Sequence, residues 1–175
     1  VARLPGIDGT GPVADRIRAR RGGTLRLLDR MLLYSPSVAD GWNSLLGAIR
    51  LRMDLPADIR ELVILRIAVL NRASYEWTAH EPEARAAGLD GHQLAALRHD
   101  DAAEHPALDA RQRRVLAYTD AMTRHVQVPD EVFDALRGDF TDAELVELTA
   151  TVAAYGMVSR FLVALDVELP APPGW

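Results

Sequence analysis

The strongest constraint on this chain is a run from Ile59 to Leu70 that is apolar on nearly every side and stops abruptly at Asn71-Arg72-Ala73. Its length suits a helix and not a strand, and a helix that is apolar all round has to be covered by other elements. A second helical stretch, Tyr75 to Ala87, comes directly after it, with Ser74 as its expected N-cap and Gly88 as its C-cap. The chain is therefore organised around a helix–helix junction, and whatever polar groups that junction holds are buried with it.

The flanking sequence fits the same fold class. Val1 to Pro12 reads as an extended arm, and Val13 to Leu33 as helix split at Gly22-Gly23. Ser35-Pro36-Ser37 starts a helix over Val38 to Met53, and Pro56 sits near the first turn of the apolar one, where its missing N–H costs nothing. Asp90 to Leu97 reads as a short helix, His99 to Pro106 as a polar connector, and Asp109 to Arg124 as an amphipathic helix. Glu131 to Leu136 is a further short helix. Phe140-Thr141-Asp142 starts the last one, Ala143 to Leu165, with a break expected at Gly156 and a Pro-rich tail from Leu169 to Trp175. No segment alternates with period two, so the expected fold is an all-α helical bundle, a single domain over residues 1–175.

An internal repeat runs through it. Glu61-Leu-Val overlays Glu144-Leu-Val and Ala73 overlays Gly156, which sets a first copy at about 36–98 against a second at about 109–166. The second copy has Val158, Ser159 and Phe161 where the first has Tyr75, Glu76 and Thr78, so the acid–base side chains belong to the first copy alone.

Composition removes several chemistries. Of the 175 residues none is Cys, which excludes disulfide exchange, thiol peroxidase work and thiolate–metal sites. All 20 basic residues are Arg, so no protein lysine can form a Schiff base. A net charge of −5 with scattered arginines gives no nucleic-acid footprint. No leader pattern opens the chain, and no uninterrupted apolar run of about 20 residues suggests a membrane span. The expectation is a cytoplasmic protein that handles a small molecule.

The polar side chains of the junction supply the means. Glu76 and His80, four residues apart, share one helix face. Glu61 enters from the preceding helix, buried among Leu, Val and Ile, and needs a partner: Arg66, Arg72 or His80. An imidazole titrating near neutrality with two carboxyls is the raw material of proton transfer. Tyr75 and Trp77 flank Glu76 and are candidates to line an apolar pocket, although such aromatics commonly pack in cores. Arg72 and Arg85 could hold a carboxylate, but Arg85 also has Glu81 one helical turn away as a natural partner. Glu61, Glu76 and His80 could also form a two-carboxylate, one-histidine metal site. Against that, the Glu76–His80 spacing is wrong for dinuclear helical sites and a second histidine is lacking. His92, His99, His105 and His125 lie in polar surroundings, as surface residues do.

Glu61-Leu62-Val63, the turn, Ala73-Ser74-Tyr75-Glu76, His80 and Ala84-Arg85-Ala86-Ala87-Gly88 together resemble the carboxymuconolactone decarboxylase and alkylhydroperoxidase-D-like superfamily. The resemblance is strongest over residues 36–98. It implies a bundle of the alkylhydroperoxidase-D type in a trimer, hexamer or similar homo-oligomer, and carries the proton-relay role to Glu61 and His80. The two redox-cysteine positions hold Ala73 and Glu76, so peroxidase cycling does not carry over. Cofactor-free chemistry of the decarboxylase branch is what the resemblance implies instead.

The expected function is a cofactor-independent lyase or isomerase acting on a small oxygenated or carboxylated molecule. In that reading His80, Glu61 and Glu76 are catalytic, and Arg72, Tyr75 and Trp77 bind substrate. The alternatives are a non-catalytic oligomeric binding protein that kept only the pocket, and a metal-dependent enzyme.

Overall fold

The computed structural model describes residues 2–169, so the Pro-rich tail expected from Leu169 to Trp175 lies, except for Leu169 itself, outside the described residues. Among the described residues the fold is helical throughout, with no strand. Among the described residues two compact units are present: those up to Met53 with Ala164–Val167, and Asp54–Val163 with Glu168 and Leu169.

The first unit carries α1 (Pro12–Arg20), α2 (Leu27–Leu32) and α3 (Pro36–Leu51). Gly22 and Gly23 both adopt positive φ, 75° and 101°, and end α1 as their pairing suggests. The N-terminal arm has no regular structure before Pro12 but is held in place. Tyr34 Oη donates to the Pro5 carbonyl at 2.7 Å and Arg18 to that of Gly9 at 2.6 Å. Arg21 pairs with Asp29, which also accepts from the Arg26 backbone N–H, so this buried carboxylate at the start of α2 is satisfied.

The second unit contains α4 (Ala57–Leu70), α5 (Ser74–Ala86), α6 (Gly91–Ala96), α7 (Ala110–His125), α8 (Asp130–Asp134) and α9 (Asp142–Ala164), whose last residue falls in the first unit. From Leu62 to Ala68 every residue of α4 is buried, as an all-apolar helix requires. The single arginine of that buried run, Arg66, is fully enclosed and uses its guanidinium completely. It grips both oxygens of Asp120 on α7 and donates to the carbonyls of Leu97, His99 and Asp100. The polar connector after α6 is thereby locked to the core, and a short 3-10 turn at Ala102–Glu104 places Ala102 inside. Glu147 on α9 accepts from the backbone N–H groups of Asp54 and Leu55 at 2.9 and 2.8 Å, which fixes the entry into α4.

Three expectations from the sequence are corrected. Ser74 is the first residue of α5 and not its cap: Ala73 holds the N-cap position and no side chain caps the helix. Helix α9 runs unbroken through Gly156, because a helix buried on this side tolerates glycine without interruption. Helix α9, 23 residues long, is also apolar enough by length and composition to cross a membrane, contrary to the expectation above, and half of its most apolar window is buried inside the protein. Such a helix is what the core of a globular fold uses. Gly88 is confirmed as the helix stop: at φ 103° it lets Leu89 N–H reach the Ala84 carbonyl.

Candidate functional site

The break between α4 and α5 creates the site. Asn71 closes α4, Arg72 takes a left-handed backbone conformation (φ 54°), and α5 folds back along α4. Asn71 also donates to Ser159 Oγ on α9 at 2.7 Å, which ties the turn down. Helix α5 tolerates Pro82 in its interior, although proline removes the N–H that would reach back one turn.

Glu61 and His80 meet across this hairpin: Glu61 Oε2 lies 2.7 Å from His80 Nδ1, with both residues buried. The other carboxylate oxygen, Oε1, accepts from Arg60 Nε at 3.2 Å. Burial works against the Glu61 charge, but the hydrogen bond and charge of His80, with Arg60 beside it, outweigh burial and hold the carboxyl below its ordinary pKa. An ionised Glu61 accepts only, so Nδ1 carries a proton, and Nε2 is the ring nitrogen left to exchange one. The His80 ring is set edge-on to Tyr155 of α9, with ring centroids 5.2 Å apart.

Glu76 is the opposite case. It is 1 % exposed, and neither carboxylate oxygen has a hydrogen-bond partner among the described residues. Desolvation pushes its pKa well above the ordinary value and so favours the neutral acid. One turn of helix separates this acid from His80. The junction therefore holds two buried carboxyls whose pKa values are pushed in opposite directions, an arrangement that separates the roles of acid and base.

The remaining expected residues are distributed unevenly. Tyr75 and Trp77 are both buried. Trp77 Nε1 donates to Glu81 at 3.1 Å and Arg98 stacks 4.5 Å from its ring centre, so this indole is engaged within the protein. Arg72 is exposed on the turn, and Arg85 pairs with Glu81 at 2.8 Å. Arg66, one expected partner of Glu61, instead serves Asp120. His92, His99 and His125 are exposed and His105 half-buried. No group of three or more metal-ligating side chains converges among the described residues. An open groove of about 550 Å³ lies elsewhere in the unit, lined by residues of α8 and α9 with the α8–α9 turn, and includes none of these side chains.

Two site neighbours are not foreseen from the sequence. Arg60 is adjacent to Glu61, where helical geometry alone does not predict an ion pair. Tyr155 is 75 positions from His80, and its only signal is a bulky aromatic in the buried stripe of the last helix.

Residues 36–121 match the carboxymuconolactone decarboxylase family. Solved structures share the fold. An uncharacterized peroxidase-related protein with an alkylhydroperoxidase AhpD core, from Ralstonia eutropha, superposes with TM-score 0.79 at 20 % identity, covering 95 % of this chain and 91 % of that one. A protein of unknown function from Agrobacterium tumefaciens, named as an AhpD antioxidant-defence candidate, gives TM-score 0.72 at 24 % identity over 79 % and 94 %. The debrominase Bmp8, solved in complex with 2,3,4-tribromopyrrole, gives 0.72 at 18 % over 91 % and 84 %. No curated protein sequence matches the chain.

Proposed function

Because this chain belongs to the carboxymuconolactone decarboxylase family, within the alkylhydroperoxidase-D-like superfamily, we propose that it is a cofactor-independent lyase or isomerase that moves a proton on a small oxygenated or carboxylated molecule. The observation that carries this reading is the 2.7 Å Glu61–His80 bond beside the fully buried acid of Glu76, which has no hydrogen-bond partner among the described residues. An uncompensated carboxyl in a core costs stability, and a catalytic acid is a reason to keep one.

His80 Nε2 takes the proton from a carbon next to a carbonyl. Glu61 holds the ring in that tautomer and balances the imidazolium that forms. Glu76 donates to the carbonyl oxygen as negative charge develops there, and the proton on His80 is then returned to the same or a neighbouring carbon. Return to a different carbon is a double-bond shift; loss of a neighbouring group from the enolate is the lyase outcome. Arg72, on the exposed turn, is the group to attract an anionic substrate, and Tyr75 is the candidate for the apolar wall. The peroxidase and debrominase names belong to the relatives. Without a cysteine this chain has no sulfur nucleophile with which to run a thiol cycle.

The test is proton exchange in heavy water. Small keto acids, unsaturated lactones and β-keto acids are incubated with the protein, and deuterium entry next to the carbonyl is followed by NMR. Faster exchange by the wild type, lost in His80→Ala, is expected for at least one class. Equal exchange by both proteins, or none with any class, would leave a binding protein and not an enzyme.

A further inference from the structure

We propose that the outward face of α9 is a two-fold interface with a second copy of this chain. The inner side of α9 packs Leu148, Val152 and Tyr155 into the core. The outer side presents Asp142, Val146, Ala150, Ala153, Met157 and Arg160, which recur at steps of three and four and so fall in one stripe. Val146 is 69 % exposed and Met157 39 %. Four neutral, mostly apolar positions in a row on a helix this long leave a surface that soluble proteins normally cover.

The order of the stripe selects the occupant. Its centre lies between Ala150 and Ala153, and the positions on either side mirror one another. Laid antiparallel against itself, the stripe puts Ala150 on Ala153, Val146 on Met157, and Asp142 on Arg160 within a residue. Each of these contacts occurs twice, as a two-fold requires. A parallel arrangement would set Asp142 on Asp142 and Arg160 on Arg160, with like charges at both ends. The two ion pairs of the antiparallel arrangement sit about 27 Å apart along the helix at 1.5 Å per residue, and the central alanines permit the close axis separation of about 8–10 Å that tight helix pairs use. The groove of about 550 Å³ runs along this face: Asp142, Val146, Ala150 and Ala153 of the stripe line it together with Leu145, Thr149 and Phe133. Charge pattern, small central residues and a receiving groove thus point to the same partner, this chain itself.

This interface is independent of the proton-transfer site. Tyr155, which faces His80, is on the opposite side of α9 from the stripe, so either proposal can fail without the other.

The test is mass in solution for the full chain at micromolar concentration, by sedimentation equilibrium. The expected wild-type mass is an even multiple of 19.2 kDa. Ala153→Glu places a charge against its own symmetry mate and should halve that mass with an unchanged melting curve. Asp142→Arg and Arg160→Asp should each raise the dissociation constant at least tenfold, and the double variant D142R/R160D should restore assembly. If Ala153→Glu aggregates, the charge-swap set decides alone. A wild-type monomer or lone trimer would overturn the proposal, whatever else covers the stripe. So would an Ala153→Glu protein of undiminished mass, or a double variant no better than its parents.

Discussion

Glu61-Leu62-Val63 and Glu144-Leu145-Val146 are the same tripeptide near the starts of two helices, and the chain treats them differently. Glu61 is buried and bonded to an imidazole 19 positions further on. Glu144 stays near the surface, where its carboxylate accepts from the backbone N–H and hydroxyl of Thr141 and helps start α9. The acids are alike, but the chain downstream of them is not. After Val63 the helix ends at a left-handed Arg72, and the next helix returns to bring His80 beside Glu61. After Val146 the helix runs straight through Gly156, and at 1.5 Å per residue a side chain 19 positions on is about 28 Å away. Even the paired positions diverge. Ser159 is buried and satisfied by Asn71 and the Gly156 carbonyl, whereas Glu76 is buried with no partner among the described residues. A motif becomes a site here only where the chain folds back on it.

Changes at the two segments should separate accordingly. The largest effect is expected for His80→Ala, which should slow proton transfer by roughly 10²–10⁴-fold while circular dichroism shows an intact fold. Glu144→Ala should leave the rate unchanged and cost only the roughly 0.3–1.5 kcal/mol of a helix-start interaction.

Glu61→Gln comes next, with a slower reaction and a loss of about 1–3 kcal/mol at neutral pH, the usual cost of leaving a buried partner poorly satisfied. The folded-state pKa of Glu61 lies below the ordinary 4.5. Its contribution is therefore fully present above the unfolded value and lost as pH falls through the folded one. Denaturant titrations should show the wild-type advantage over Glu61→Gln shrinking only below about pH 4.5.

Glu76→Gln should move stability the other way. The folded pKa of Glu76 is raised far above 4.5, so the unfolded chain releases this proton first and folding weakens as pH rises above the unfolded value. The linkage slope is about 1.4 kcal/mol per pH unit for one proton. A neutral amide removes that dependence, so the variant should equal or exceed wild type at pH 7 and lose its advantage near pH 4, with activity reduced at both. Smallest is Arg72→Gly, which relieves the left-handed residue by about 1 kcal/mol. If Arg72 attracts the substrate's anionic group, KM rises and kcat does not.

Range along the chain decides how much of this is legible in the sequence. The apolar run of α4, the glycine stop of α5 and the Glu-x-x-x-His pattern are local, so helical periodicity exposes them. The approach of Glu61 to His80 is inferable because one short turn joins their helices. Arg66 with Asp120, and Tyr155 with His80, are packed from segments more than 50 positions apart, and no local pattern announces such partners. Gly156 misleads because glycine breaks exposed helices more readily than buried ones. Most consequential is Glu76, which the sequence places at a helix start, where an acid is ordinarily ionised. Only packing reveals that both its oxygens are sealed from water and from partners among the described residues.

The protonation state of Glu76 can be measured directly, with no substrate. Infrared difference spectra of carboxyl groups at pH 7, taken on wild type, Glu61→Gln and Glu76→Gln, report which carboxyl holds a proton. The prediction is a protonated-carboxyl band in wild type that persists in Glu61→Gln and disappears in Glu76→Gln, while an ionised-carboxylate band is lost from Glu61→Gln. A wild-type spectrum with no protonated carboxyl at pH 7, or one whose protonated band survives Glu76→Gln, would contradict the assignment of acid to Glu76 and base to the Glu61–His80 pair.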